Sequence, residues 1–136
     1  MITAVDTNVL LDVLTADPVF GPASRAALRA ATQTGALVAS EVVWAETAAW
    51  YSSEETAAQR LDELRVRLVP MGASAAFAAG TAWRAYRSGG GRRKRMVADF
   101  LIGAHAAAHA DCLLTRDYGF YHDRFSGLTI LNPTAA

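Results

Sequence analysis

Apolar and polar positions along this chain fall into two regimes: short apolar runs, and longer stretches whose apolar residues recur three or four apart. The apolar run from Met1 stops at Asp6 and reads as a buried strand. Leu37-Val38-Ala39, Val66 to Val69, Asp111 to Thr115 and Leu128 to Leu131 read as further strands. Between them the pattern is helical. A helix starts near Asn8, carries Leu10, Leu11, Val13 and Leu14, and is broken by Pro18 and Gly21-Pro22. A second runs from about Ser24 to Gln33 and ends at Gly35. Ser40 caps a third, Glu41 to about Tyr51, with Val43 and Trp50 as packing positions. Ser52 with Glu55 forms a capping box opening a fourth, and Ser74 caps a long alanine-rich fifth whose Phe77, Trp83 and Tyr86 read as core. A sixth begins at Met96, and Gly119-Phe120-Tyr121 starts a turn or short helix. Strands alternating with helices predict an α/β fold with a parallel sheet.

Four acids stand out in this pattern, each at or beside an element boundary in an apolar neighbourhood. Asp6 closes the first strand, and Asp117 repeats that position after the strand ending at Thr115. Asp99 falls in the first turn of its helix, and Glu46 shares the stripe of Val43 and Trp50. Each has a bland reading, as a cap, a dipole partner or a snorkelling surface acid. A parallel sheet changes the weighting, because strand ends line up along one edge and helices start from it. Asp12 is expected on the surface, and Glu54, Glu55, Asp62 and Glu63 form a solvated face.

Two unit charges at ~4 Å repel by about 1 kcal/mol in water and about 4 kcal/mol at an effective dielectric of ~20. Four carboxylates sharing a mouth therefore call for a cation. Mg²⁺ or Mn²⁺ favours such hard oxygen ligands, keeps several waters, and bridges carboxylates to a substrate phosphate.

The chain has 136 residues, 52% of them hydrophobic and 19% charged, so one ordered domain spanning residues 1–136 is expected. Lys plus Arg and Asp plus Glu each total 13, and the net charge is zero. Attraction to nucleic acid must then be local. Between Glu63 and Asp99 there is no acid, and this interval holds the run Arg92-Arg93-Lys94-Arg95. That run and Arg116 are candidate RNA-phosphate contacts on charge alone.

The single cysteine, Cys112, excludes an internal disulfide and reads as a buried thiol. His105 and His109 share a helix face without the further ligands of a zinc site. The triple glycine before the basic run matches no phosphate-cradling pattern. No apolar stretch reaches the ~18 residues of a membrane span, and the N-terminus lacks a basic leader region, so a cytoplasmic protein is expected.

Val5-Asp6-Thr7-Asn8, Glu41-Val42-Val43-Trp44-Ala45-Glu46, Ala98-Asp99-Phe100-Leu101-Ile102-Gly103-Ala104 and Leu114-Thr115-Arg116-Asp117 with Gly119-Phe120 together resemble a PIN-domain ribonuclease, specifically a VapC-type toxin. The resemblance covers essentially the whole chain. It implies a three-layer α/β/α sandwich with a central parallel sheet, Mg²⁺- or Mn²⁺-dependent endoribonuclease activity, and a homodimer inhibited by a cognate VapB-type antitoxin. By position it makes Asp6, Glu46, Asp99 and Asp117 catalytic, with Asp6, Asp99 and Asp117 as metal ligands and Thr7, Asn8 and Thr115 supporting them.

Two other functions compete. A strand-terminal aspartate also serves as nucleophile in haloacid-dehalogenase-like phosphatases, whose DxDx[TV] pattern fails here at Asn8. An acidic mouth can also dock a basic partner without catalysis.

Overall fold

The computed structural model describes residues 1–90 and 97–134. Five strands, β1 (Ile2–Val5), β2 (Ala36–Ala39), β3 (Val66–Leu68), β4 (Cys112–Leu114) and β5 (Thr129–Leu131), form one sheet in the order β3-β2-β1-β4-β5. Every neighbouring pair is parallel. Parallel neighbours require crossovers, and helices supply them. α1 (Thr7–Leu14) and α2 (Gly21–Thr34) follow β1, and α3 (Glu41–Ala48) and α4 (Glu54–Glu63) follow β2. α5 (Gly72–Ser88) and α6 (Val97–His109) follow β3, and α7 (Tyr118–Arg124) links β4 to β5. The result is a three-layer α/β/α sandwich.

Burial follows position in the sheet. The three inner strands are apolar and covered on both faces, with Ala4, Val5, Leu37, Val38, Ala39, Cys112, Leu113 and Leu114 all buried. The outer strand β5 leaves Thr129 and Leu131 exposed. From β1 the chain builds outward through β2 and β3, then returns to place β4 on the other side of β1. That reversal makes the carboxyl ends of β1 and β4 neighbours, and such a switch point is where open α/β sheets form their crevice. Val5 pairs with Leu114, and the Asp6 amide donates to the Leu114 carbonyl at 2.9 Å.

Local chemistry sets the helix starts. Asp6 itself is the N-cap of α1, and Ser40 caps α3 by accepting from the Val43 amide. At α4 the cap is Ser53, which accepts from Thr56 N at 3.1 Å, one residue later than the Ser52–Glu55 box expected. Pro22 lies in the first turn of α2 and opens that helix, where its fixed φ suits the start and its missing N–H is not needed. α5 starts at Gly72, whose φ of +80° suits glycine, two residues before the expected Ser74.

Two expected core aromatics are on the surface. α3 ends at Ala48, so Trp50 lies beyond the helical stripe that placed it inside and is 63% exposed. On α5 the buried positions are the small Ala75 and Ala79, which pack against α6, and Phe77 between them faces outward at 79% exposure. The aromatics that do pack form a chain across three helices. Tyr86 meets Phe100, Phe100 meets Phe120 at 5.1 Å in an edge-on contact, and Phe120 meets Tyr121 at 5.0 Å. Gly103 on α6 has no room for a side chain, since a Cβ there would enter the Phe125 ring. This cluster fixes the first turn of α6 against α7.

Candidate active site

Asp6 lies at the centre of the switch point and is 6% exposed. Its Oδ1 accepts from the Thr7 amide at 2.7 Å, and its Oδ2 accepts from the Thr115 hydroxyl at 2.8 Å and from the Asn8 amide group at 3.4 Å. Despite these donors, burial pushes the Asp6 carboxyl up to about 6, and the charge of Asp99 adds to the rise. The bonds from Thr115 and Thr7 oppose it without winning.

Asp99 sits in the first turn of α6 and is half-buried. Asp117 is the N-cap residue of α7, but its carboxylate makes no capping bond; its backbone amide instead donates to the Thr115 hydroxyl at 3.0 Å. The Thr115 hydroxyl therefore receives from one acid's backbone while it donates to another acid's carboxylate.

Beneath these groups lies Tyr121, 1% exposed. Burial, then the charges of Asp6, Asp99 and Asp117, hold its phenol protonated far above the ordinary range. Three carboxylates thus act on one buried hydroxyl. That hydroxyl is near enough to Asp6 for the two to influence each other, yet it closes no well-formed hydrogen bond. Tyr121 was not singled out by sequence, where it read as part of a turn. The available signal was its spacing, four residues after Asp117 on the next helix.

Glu46 reaches the same group from α3. Its Oε1 accepts from the Thr7 hydroxyl at 2.7 Å, and Thr7 is the residue after Asp6. The head of Glu46 is exposed, so of the four acids it is the one at the solvent side of the mouth.

The donor set at this mouth is all oxygen, which suits Mg²⁺ or Mn²⁺ over zinc. Among the described residues no three His, Cys, Asp or Glu side chains stand close enough to form a complete metal cage. Mg²⁺ does not need one, because it takes one or two carboxylates and fills the rest of its shell with water and phosphate oxygens. A buried Asp6 repelled by the half-buried Asp99, beside a phenol that closes no well-formed hydrogen bond, fits that requirement.

A family model described as PIN domain matches residues 3–125. The chain belongs to the PIN-domain family. No curated protein matches this PIN domain in sequence. Solved structures do match in fold. The chain is similar to one in VapBC2 from Rickettsia felis bound to a DNA fragment from its promoter, with 22% identity, 97% of this chain and 98% of that chain covered, and a TM-score of 0.74. It is similar to one in VapBC-1 from nontypeable Haemophilus influenzae, with 20% identity, 99% and 100% covered, and a TM-score of 0.72. A toxin-antitoxin complex from Klebsiella pneumoniae matches at 20% identity, with 98% and 99% covered and a TM-score of 0.71.

Two expectations about charged residues are corrected in this PIN domain. Asp12 is not a surface acid but is 4% exposed, because its face of α1 is covered by Ser24 and Arg116. Arg116 correspondingly is no open phosphate contact: its guanidinium is ion-paired to Asp12 at 2.7 Å. The run Arg92-Arg93-Lys94-Arg95 lies outside the described residues. His105 and His109 each bring Nε2 to a backbone carbonyl, Val69 O at 2.8 Å and Met71 O at 2.7 Å, so both rings tie α6 to the segment after β3.

Proposed function

We propose that this PIN domain is a Mg²⁺- or Mn²⁺-dependent endoribonuclease, and that it acts as the toxin of a VapBC-type pair restrained by a cognate VapB-type antitoxin. The observation that supports the reading is that Asp6 is buried at the switch point of a PIN fold and that the charges of Asp6, Asp99 and Asp117 all act on the buried Tyr121 phenol. Likeness to chains from VapBC structures supports the choice of toxin among possible nucleases.

In this reading Asp6, Asp99 and Asp117 would hold the ion between them, one or two directly and the rest through its bound waters, since no three of the described carboxylates form a complete cage. When bound, it polarises a phosphate oxygen and lowers the pKa of a water. The remaining work belongs to the chain. Thr115 and Thr7 N fix both oxygens of Asp6, so the carboxylate presents one orientation. Asn8 bridges Asp6 and Thr115 and accepts from Arg116 N at 3.3 Å, which keeps the two strand ends in register. Glu46, held through Oε1, keeps Oε2 without a partner among the described residues, placed to accept a proton from an attacking water. Arg92 to Arg95 supply phosphate contacts on the strength of their charge. In the same reading the protein is a cytoplasmic homodimer of a single domain, residues 1–136. Among the described residues no helix is long and apolar enough to cross a membrane. No observation favours the phosphatase or docking readings, and position 8 is an asparagine engaged with Asp6.

The test is cleavage of labelled RNA by purified protein with added Mg²⁺ or Mn²⁺. Cutting that stops with chelator and is absent in Asp6→Asn supports the proposal; phosphate transfer to Asp6, or RNA binding without turnover, contradicts it.

A further inference from the structure

The connection from β4 to α7 carries Thr115 and Asp117 into the site, and the residue between them points elsewhere. Arg116 reaches α1 with its guanidinium edge: Nε donates to Asp12 Oδ2 at 2.7 Å and Nη2 donates to Asp12 Oδ1 at 3.0 Å. This is a two-bond fork, a geometry that lysine does not reproduce. Asp12 is buried, and its Oδ2 also accepts from Ser24 Oγ of α2 at 2.7 Å. One face of the guanidinium lies 4.0 Å from the Phe20 ring centroid, and the Phe20 amide donates to Asp17 Oδ1 at 2.8 Å. Edge and face of Arg116 are both held.

We infer that Asp12 and Arg116 are positioning residues of the carboxylate site: their forked ion pair pins the β4–α7 connection so that the Thr115 hydroxyl meets Asp6 and Asp117 is brought to the same mouth. The inference deepens the nuclease reading and rests on it for its kinetic part. The chain of contacts is short. Arg116 N donates to Asn8 Oδ1, Thr115 Oγ1 donates to Asp6, and Asp117 N donates to Thr115 Oγ1, so a shift of Arg116 moves three of these bonds together. A buried ion pair adds little net stability over apolar packing of the same volume, whereas its directional bonds select one arrangement.

The experiment uses Asp12→Asn and Arg116→Lys in the full chain, with two readouts. Amide hydrogen exchange at Arg116 and Asp117 reads the position of the connection without reference to activity. Steady-state cleavage of a labelled RNA reads the consequence. Both variants are expected to lose protection at those two amides and to lower kcat about 10–100-fold with KM for RNA unchanged. Should Asp12→Asn fail to fold, Arg116→Lys, which keeps the charge and loses the fork, decides alone. Native protection together with native kcat overturns the inference. A raised KM and a flatter salt dependence at unchanged kcat in Arg116→Lys also overturns it, in favour of a direct phosphate contact. If wild-type protein cuts no RNA while the amides lose protection as expected, the nuclease reading fails and the pinning of the connection stands.

Discussion

The Thr7 hydroxyl donates to Glu46 Oε1 at 2.7 Å, joining the first residue of α1 to an exposed acid on α3. This bond orients the one acid of the four that faces solvent. Thr7→Val is expected to lower kcat about tenfold while Thr7→Ser retains activity. Because the Glu46 head stays in water, the stability cost of Thr7→Val is no more than about 1 kcal/mol. Unchanged kcat in Thr7→Val would show that Glu46 needs no orientation from Thr7.

Asp6 makes the metal-free fold sensitive to pH. Its folded pKa of about 6 stands above the unfolded carboxylate value near 4, so the folded state binds that proton more tightly. The fold is favoured by this group below about pH 4 and loses roughly 3 kcal/mol of that advantage as pH rises to about 6. Without divalent ions, the melting temperature of Asp6→Asn relative to wild type should therefore rise across this window. Thermal melts from about pH 4 to 7 in chelator check it, and a difference that stays constant would contradict the buried-carboxylate assignment.

Adding Mn²⁺ should raise the melting temperature of wild type by an amount that grows with ion concentration, as binding to the native state requires. Asp6→Asn and Asp99→Asn should show little of that rise. Calorimetric melts with matched ionic strength separate this from general screening.

Tyr121→Phe removes a buried hydroxyl that closes no well-formed hydrogen bond and keeps the ring that packs against Phe120 and Phe125. Its melting temperature should equal or exceed that of wild type. Tyr121→Ala, which empties the site, should lose about 3–5 kcal/mol. A destabilised Tyr121→Phe would show that the phenol is a bonded structural group.

Charge reversal at Arg92 and Arg93 should weaken RNA binding and reduce the slope of log affinity against log salt by about one for each phosphate no longer neutralised. Filter binding at several salt concentrations reads this directly, and an unchanged slope would show that the run does not touch RNA.

The parallel architecture and the placement of Asp6 and Asp117 were legible because Asp6 directly follows one short apolar run and Asp117 comes within three residues of the end of another, and runs of that kind separated by helices leave their ends on one edge. The burial of Asp12 was not legible, since its partner Arg116 lies 104 residues away and nothing local distinguishes it from a surface acid. Adjacent serines with the same capping chemistry hid the choice of Ser53 over Ser52. Trp50 and Phe77 misled for a shared reason: helical spacing assigns a face only while the helix continues and only if large residues are preferred there, whereas α3 stops short and α5 packs through alanine. Tyr121 escaped because its significance lies in three acids from other elements that act on it.

The most direct test is Mn²⁺ binding followed by electron paramagnetic resonance on wild type, Asp6→Asn, Asp99→Asn and Asp117→Asn, each confirmed as folded. A shared carboxylate site predicts saturable binding by wild type and marked weakening in each variant. Equal Mn²⁺ binding by all four proteins would contradict it.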